Sequence, residues 1–112
     1  MIRRTVTADH EASYPDPISV KQGEVLKLTG EDYNWDGHVW LWAINEQGKT
    51  GWIPDTLANR TADGCFAKKD YSAMELTCVT GQVLESFDTT HGWAWCRSED
   101  GNEGWVPLKN LS

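Results

Sequence analysis

Trp40-Leu41-Trp42-Ala43, followed by Gly51-Trp52-Ile53-Pro54, is written a second time as Trp93-Ala94-Trp95-Cys96, followed by Gly104-Trp105-Val106-Pro107. Trp40 and Trp93, Trp42 and Trp95, Gly51 and Gly104, and Pro54 and Pro107 each stand 53 positions apart, and Gly48 and Gly101 keep the same offset. A shared period of this length means two copies of one structural unit. The aromatic alternation reads as a strand, with Trp40 and Trp42 on one face and Leu41 and Ala43 on the other. Gln47-Gly48 marks a hairpin, and Asp100-Gly101 marks one more strongly, since that pair suits a type I′ turn. Pro54 and Pro107 end their ladders because proline has no N–H to donate.

Outward from this stretch the rest of each copy falls into place. Thr5-Val6-Thr7-Ala8 and Ile18-Ser19-Val20 alternate as half-buried strands do. The polar stretch between them, with Pro15 and Pro17, reads as a loop. Val25 to Leu28 is a further strand, and Thr29 to Gly37 reads as a polar loop carrying Tyr33 and Trp35. Copy two opens at Cys65-Phe66-Ala67 and continues through Leu76-Thr77-Cys78 and a strand from Val83 to Phe87. No helical period is present, so the expected class is all-β, with two small barrels in tandem. The expected division is residues 1–58, a short polar linker at 59–64, and residues 65–112. Aligning Ala8 with Ala67 points Val6, Ala8, Ile18, Val20, Leu26, Leu28, Ala43 and Ile53 inward in copy one. The same alignment points Cys65, Ala67, Leu76, Cys78, Leu84, Cys96 and Val106 inward in copy two. Ser86 falls where copy one has Leu28, so either Phe87 turns in through a bulge or that end of the core is thin.

The net charge is −7, and 17 acidic against 10 basic side chains disfavour nucleic acid and anionic membrane surfaces, both of which need a basic face. No leading apolar run reads as a signal or a membrane span, so the expected location is cytoplasmic. The 3 cysteines match small apolar residues of the other copy, which favours buried hydrophobes over a disulfide framework or a redox site. His10, His38 and His91 lack metal-site spacing. No paired nucleophile and base, and no phosphate-cradling glycine loop, is present. The expectation is a non-enzymatic protein without cofactor or metal.

The aromatic strand, a small residue, and then Gly48-Lys49-Thr50-Gly51-Trp52-Ile53-Pro54 or Gly101-Asn102-Glu103-Gly104-Trp105-Val106-Pro107 resemble the Src-homology-3 (SH3) family, in the variant form of many bacterial tandem proteins. The resemblance covers nearly the whole chain, once per copy. It implies two five-stranded SH3-like barrels whose aromatic grooves bind extended proline-rich segments by stacking, with acidic loop residues pairing a basic ligand residue. Carried over, the groove tryptophans are Trp40 and Trp93 and the groove prolines Pro54 and Pro107. Trp52 and Trp105 lie beside them. The family's A-L-Y-D-Y motif reads Ala8-Asp9-His10-Glu11-Ala12 in copy one, without either tyrosine. In copy two it reads Ala67-Lys68-Lys69-Asp70-Tyr71 and keeps the second. The tyrosine that follows the proline is Leu57 in copy one and Leu111 in copy two. Asp16, Glu31, Asp32, Asp36, Glu75 and Asp88 are the candidate acidic flank.

Three readings stay open. One is a protein-binding module for an extended, proline-rich or basic segment, with Tyr71, Trp93, Trp105 and Pro107 as the better groove. Another is a structural or self-associating pair whose aromatic faces are buried between barrels or in a homodimer. The third is cell-wall peptide recognition.

Overall fold

The computed structural model describes residues 2–14, 16–35 and 37–112, and Asp36, one of the acidic candidates, lies outside them. The strands in chain order are β1 (Ile2–Thr5), β2 (Ser19–Val20), β3 (Lys27–Trp35), β4 (His38–Ile44), β5 (Thr50–Pro54), β6 (Ala58–Thr61), β7 (Gly64–Ala67), β8 (Tyr71–Ser72), β9 (Val83–Thr90), β10 (Trp93–Arg97) and β11 (Glu103–Pro107). Short 3₁₀ turns at Asp55–Leu57 and Leu108–Asn110 follow the two prolines. The all-β class holds. The ladders are a four-stranded sheet β1-β9-β10-β11, a three-stranded sheet β3-β4-β5, and the pairs β2-β8 and β6-β7, rather than two continuous five-stranded barrels.

The chain forms two compact units that do not follow the repeat. A continuous unit holds residues 16–73, and a split unit joins residues 1–15 to 74–112. The residues expected as a linker, 59–64, lie in the β6-β7 hairpin, where Ala58 faces Ala67 and Arg60 faces Cys65. β7 is the opening strand of copy two, yet it closes on copy one, with Leu26 N–H donating to Cys65 O and Ala67 N–H to Glu24 O. Conversely β1, the opening strand of copy one, pairs antiparallel with β9 of copy two. Each unit therefore takes its first strand from the other copy.

The core of the split unit shows the same exchange. Val6 packs with Leu76, Cys78, Leu84, Ala94, Cys96, Val106 and Leu111. Ala8, expected inside, is exposed, because the buried register position belongs to Val6, which bridges Leu111. In the continuous unit Ile18, Val20, Leu26, Ala43, Ile53, Leu57 and Ala67 are buried, and Leu28 and Cys65 are half-buried. Burial pushes the Cys78 and Cys96 thiols up, as befits apolar fillers rather than nucleophiles.

Three local expectations change. The stretch from Thr29 to Trp35 is strand, not loop: β3 extends through it, placing Tyr33 opposite Trp40 and Trp35 opposite His38. Cross-strand aromatic pairs outweigh the polar composition between them, and the irregularity between Leu28 and Asp32 absorbs part of the extra length. At the other anomaly a register shift does occur: Trp95 faces Asp88 and Cys96 faces Ser86, which leaves Phe87 as the extra residue. Phe87 points outward at 47% exposure while Ser86 stays buried, so that end of the core is thin. Arg97 covers the Phe87 ring, its guanidinium carbon 5.0 Å from the centroid. Finally, the Asp100-Gly101 turn is not type I′, since Gly101 has φ 87° and Asp100 is not among the positive-φ residues. Gly101 N–H donates to Ser98 O as Gly48 N–H does to Asn45 O, so both copies turn with one left-handed glycine.

The opening segment is also held by a carboxylate. Asp9 accepts hydrogen bonds from the Thr80 backbone N–H at 2.7 Å and its hydroxyl at 2.9 Å. The backbone bond first, and the hydroxyl second, hold the Asp9 carboxyl below its usual range. A depressed carboxylate adds stability above its unfolded pKa, and that stability is lost as pH falls through the lower folded value. We therefore expect the Thr80 amide resonance to titrate with a midpoint below the ordinary carboxylate range of about 4. Asp9→Asn should abolish that titration. A Thr80 amide that titrates equally in both proteins would contradict the contact.

Candidate functional site

In the split unit, β10 and β11 pair so that Trp93 faces Pro107 and Trp95 faces Trp105. The period of two puts all four side chains on one face, away from Ala94, Cys96 and Val106 in the core. Trp95 and Trp105 meet edge to face with ring centroids 5.2 Å apart, and Trp95 Nε1–H donates to Glu103 at 3.1 Å. Chain from the loop before Leu76 lies along β11: Trp105 N–H donates to Met74 O and Leu76 N–H to Trp105 O. Gly104 makes this close approach possible, since a Cβ there would stand 2.6 Å from both the Glu75 carbonyl carbon and the Leu76 nitrogen. The approach fixes Glu75 beside the aromatic face. His10 Nε2–H donates to Glu75 Oε1 at 2.8 Å, and the His10 ring stands edge-on to Trp93 with centroids 5.4 Å apart. His10, Glu75, Trp93 and Pro107 are thus one constellation, apolar and flat on one side and anionic at its border. Trp93 is half-buried, so part of the indole is open to a partner.

The continuous unit carries a parallel face. Tyr33, Trp40 and Pro54 stand in line across β3, β4 and β5, and Trp42 faces Trp52 one step further along. Trp42 and Trp52 meet edge to face at 5.0 Å, and Tyr33 tilts onto Trp52 at 5.8 Å. The Tyr71 hydroxyl donates to Trp52 O at 3.3 Å. Here Trp40 and Tyr71 are each 8% exposed and Pro54 is buried, while Trp42 and Trp52 are half-buried and Tyr33 is 50% exposed. In the split unit Trp105 is likewise 8% exposed and Pro107 is buried.

The proposed groove residues are therefore divided. Trp93, Trp105 and Pro107 are together, but Tyr71 belongs to the continuous unit with Trp40, Trp52 and Pro54. Strand exchange is the reason. Tyr71 pairs with Val20, and His10 takes the matching place in the split unit, paired with Cys78. Leu57 and Leu111 are core residues rather than groove residues. Asn110, one position earlier, instead donates from its side-chain amide to Asp9 O at 3.1 Å and Ala8 O at 3.3 Å. Of the described acidic candidates, Glu75 is placed at the aromatic constellation. Asp16 is paired with Lys49 at 2.8 Å. Glu31 and Asp32 are exposed on β3, and Asp88 faces Trp95 across the ladder.

The sequence alignment set His10 at the place of the motif's first tyrosine, and the signal that moves it is Asp9. Asp9 binds the Thr80 N–H as Asp70 binds the Gln22 N–H. The shared aspartate aligns Val6-Thr7-Ala8-Asp9-His10 with Ala67-Lys68-Lys69-Asp70-Tyr71, so His10 stands where the family motif has its second tyrosine. Among the described residues no three His, Cys, Asp or Glu side chains come together to hold a metal ion. No helix among them is long and apolar enough to cross a membrane.

Residues 5–60 match the family model described as "Variant SH3 domain". Over 52 residues the chain is 40% identical to the human protein "Guanine nucleotide exchange factor DBS", an alignment that covers 45% of this chain and 4% of that protein. No solved structure matches significantly.

Proposed function

This chain belongs to the variant SH3 domain family, whose model matches half of its length, and from that premise we propose that it is a tandem pair of SH3-like units that captures an extended, proline-rich or basic segment of a partner protein. SH3 domains are non-catalytic interaction modules, and the aromatic faces supply the chemistry such a module uses. A polyproline II segment is already stiff, so stacking its rings on flat indoles costs little conformational entropy. The observation that carries the reading is the split-unit constellation, in which a half-buried Trp93 lies in register with Pro107 and is joined through the His10 ring to the Glu75 carboxylate. A proline ring would seat between Trp93 and Pro107, and a lysine or arginine of the partner would meet Glu75.

The structural reading keeps one observation of its own. Trp40, Pro54 and Tyr71 are buried, so at the place where the split unit leaves Trp93 half-buried the continuous unit uses its tryptophan as packing, which supports the split unit as the binding one.

Glu75 supplies the test of ligand charge. With a basic proline-rich peptide as probe, Glu75→Gln should weaken binding roughly 3- to 5-fold, the effect of an ion pair worth up to ~1 kcal/mol. A peptide of the same length with its basic residues replaced by glutamine should bind both proteins alike. Equal loss for the two peptides would remove Glu75 from a charge-reading role.

A further inference from the structure

Residues 1–15 and the 74–112 portion they complete are separated in the chain by an entire folded unit. The opening segments of the two copies are held by several matching bonds. Thr7 N–H donates to Asn110 O as Lys68 N–H donates to Leu57 O. Asp9 caps Thr80 as Asp70 caps Gln22. His10 is strand-paired with Cys78 as Tyr71 is with Val20. The two docking stations thus correspond at these bonds, and each station is filled by the segment of the other copy. Nothing in these bonds requires the segment and the station to share a polypeptide.

We propose that residues 1–15 are an exchangeable arm whose partner is a second copy of this chain, the arm of one molecule completing the 74–112 portion of another. The exchanged contacts are those already made within one chain: the β1-β9 ladder, Val6 in the core, and the Asp9–Thr80 bonds. Association by exchange therefore adds no new surface, and its cost is the effective concentration lost when an intramolecular contact becomes intermolecular. The exchange has a consequence for the aromatic constellation. His10 rides on the arm, so in the exchanged dimer the His10–Glu75 bond joins two molecules.

The test is refolding of the full chain from denaturant at about 1 µM and at about 500 µM, each followed by dilution and size-exclusion chromatography. The arm predicts monomer from the dilute sample. From the concentrated sample it predicts a dimer fraction that persists for hours after dilution, because separation requires opening the split unit. A full chain carrying Thr5→Cys and Ser112→Cys identifies the connection, since Ser112 N–H donates to Thr5 O at 2.9 Å. Oxidation of the exchanged dimer joins two chains, giving a dimer that survives denaturing electrophoresis, while the monomer closes on itself. Monomer at both refolding concentrations, a dimer that reverts within minutes of dilution, or a dimer whose disulfides are all within single chains would each overturn the proposal.

Discussion

Gly104→Ala is expected to destabilise the split unit by about 3 kcal/mol, and to do so more than Gly51→Ala destabilises the continuous one. Both glycines are buried repeat partners on equivalent strands, and neither has a positive φ, so the difference lies in space alone. A Cβ on Gly104 would press into backbone, with the Glu75 carbonyl carbon and Leu76 nitrogen at 2.6 Å and the Glu75 oxygen at 3.0 Å. Backbone in a hydrogen-bonded bridge cannot step aside without breaking the Leu76–Trp105 and Trp105–Met74 bonds. A Cβ on Gly51 would meet first the Cγ2 of Ile18 at 2.8 Å, a side-chain methyl that can shift at a cost of about 1–2 kcal/mol. Thermal unfolding followed by circular dichroism should show a fall in Tm on the order of 10–15 °C for Gly104→Ala. A fall several degrees smaller is expected for Gly51→Ala. Equal Tm values for the two variants would mean that the Glu75 backbone does not lie over Gly104. The geometry that fixes Glu75 beside Trp93 would then be wrong.

The second large effect is on binding. Trp93→Ala should weaken a basic proline-rich peptide by about 30-fold or more, the ~2 kcal/mol typical of a tryptophan at the centre of an interface. Trp93 is half-buried, and Trp40, its repeat partner, is 8% exposed. The repeat would give the two residues one role, and the difference in burial separates them. Trp40→Ala should therefore cost stability, in the range of about 3 kcal/mol for a buried aromatic, and leave peptide affinity within about 2-fold where the protein is folded. Calorimetric titration of both variants, each with a melting curve to confirm folding, checks the pair. A Trp40→Ala variant that loses affinity while Trp93→Ala keeps it would move the binding face to the continuous unit.

The parts of this fold that were legible in the sequence are those set by local spacing. The β4-β5 and β10-β11 hairpins, the division of each aromatic strand into an indole face and a core face, and the burial of Cys78 and Cys96 all follow from period-two alternation and the glycine-marked turns. What was not legible depends on pairing between distant segments. Residues 59–64 are polar and proline-free, and nothing local separates a linker from the tight β6-β7 hairpin they form. Tyr33 and Trp35 sit among acidic and polar neighbours, and only the strand opposite, with Trp40 and His38, turns that stretch into β3. The exchange of opening strands leaves no local trace, because β1 and β7 satisfy the same kind of station. It is also what separates Tyr71 from Trp93 and brings His10 to Glu75. Aligning on Asp9 and Asp70 instead of on Ala8 and Ala67 would have identified His10 as the counterpart of Tyr71, though not which tryptophan it meets.

The most direct measurement is an amide and indole correlation NMR titration of the full chain with a basic proline-rich peptide. Each of the seven tryptophans contributes one indole N–H signal. The account predicts saturable shifts at Trp93, with smaller ones at the half-buried Trp95 on the same face, and an unmoved signal for the buried Trp40. Indole signals that stay in place up to millimolar peptide, or that move only at Trp40, Trp42 and Trp52, would contradict it.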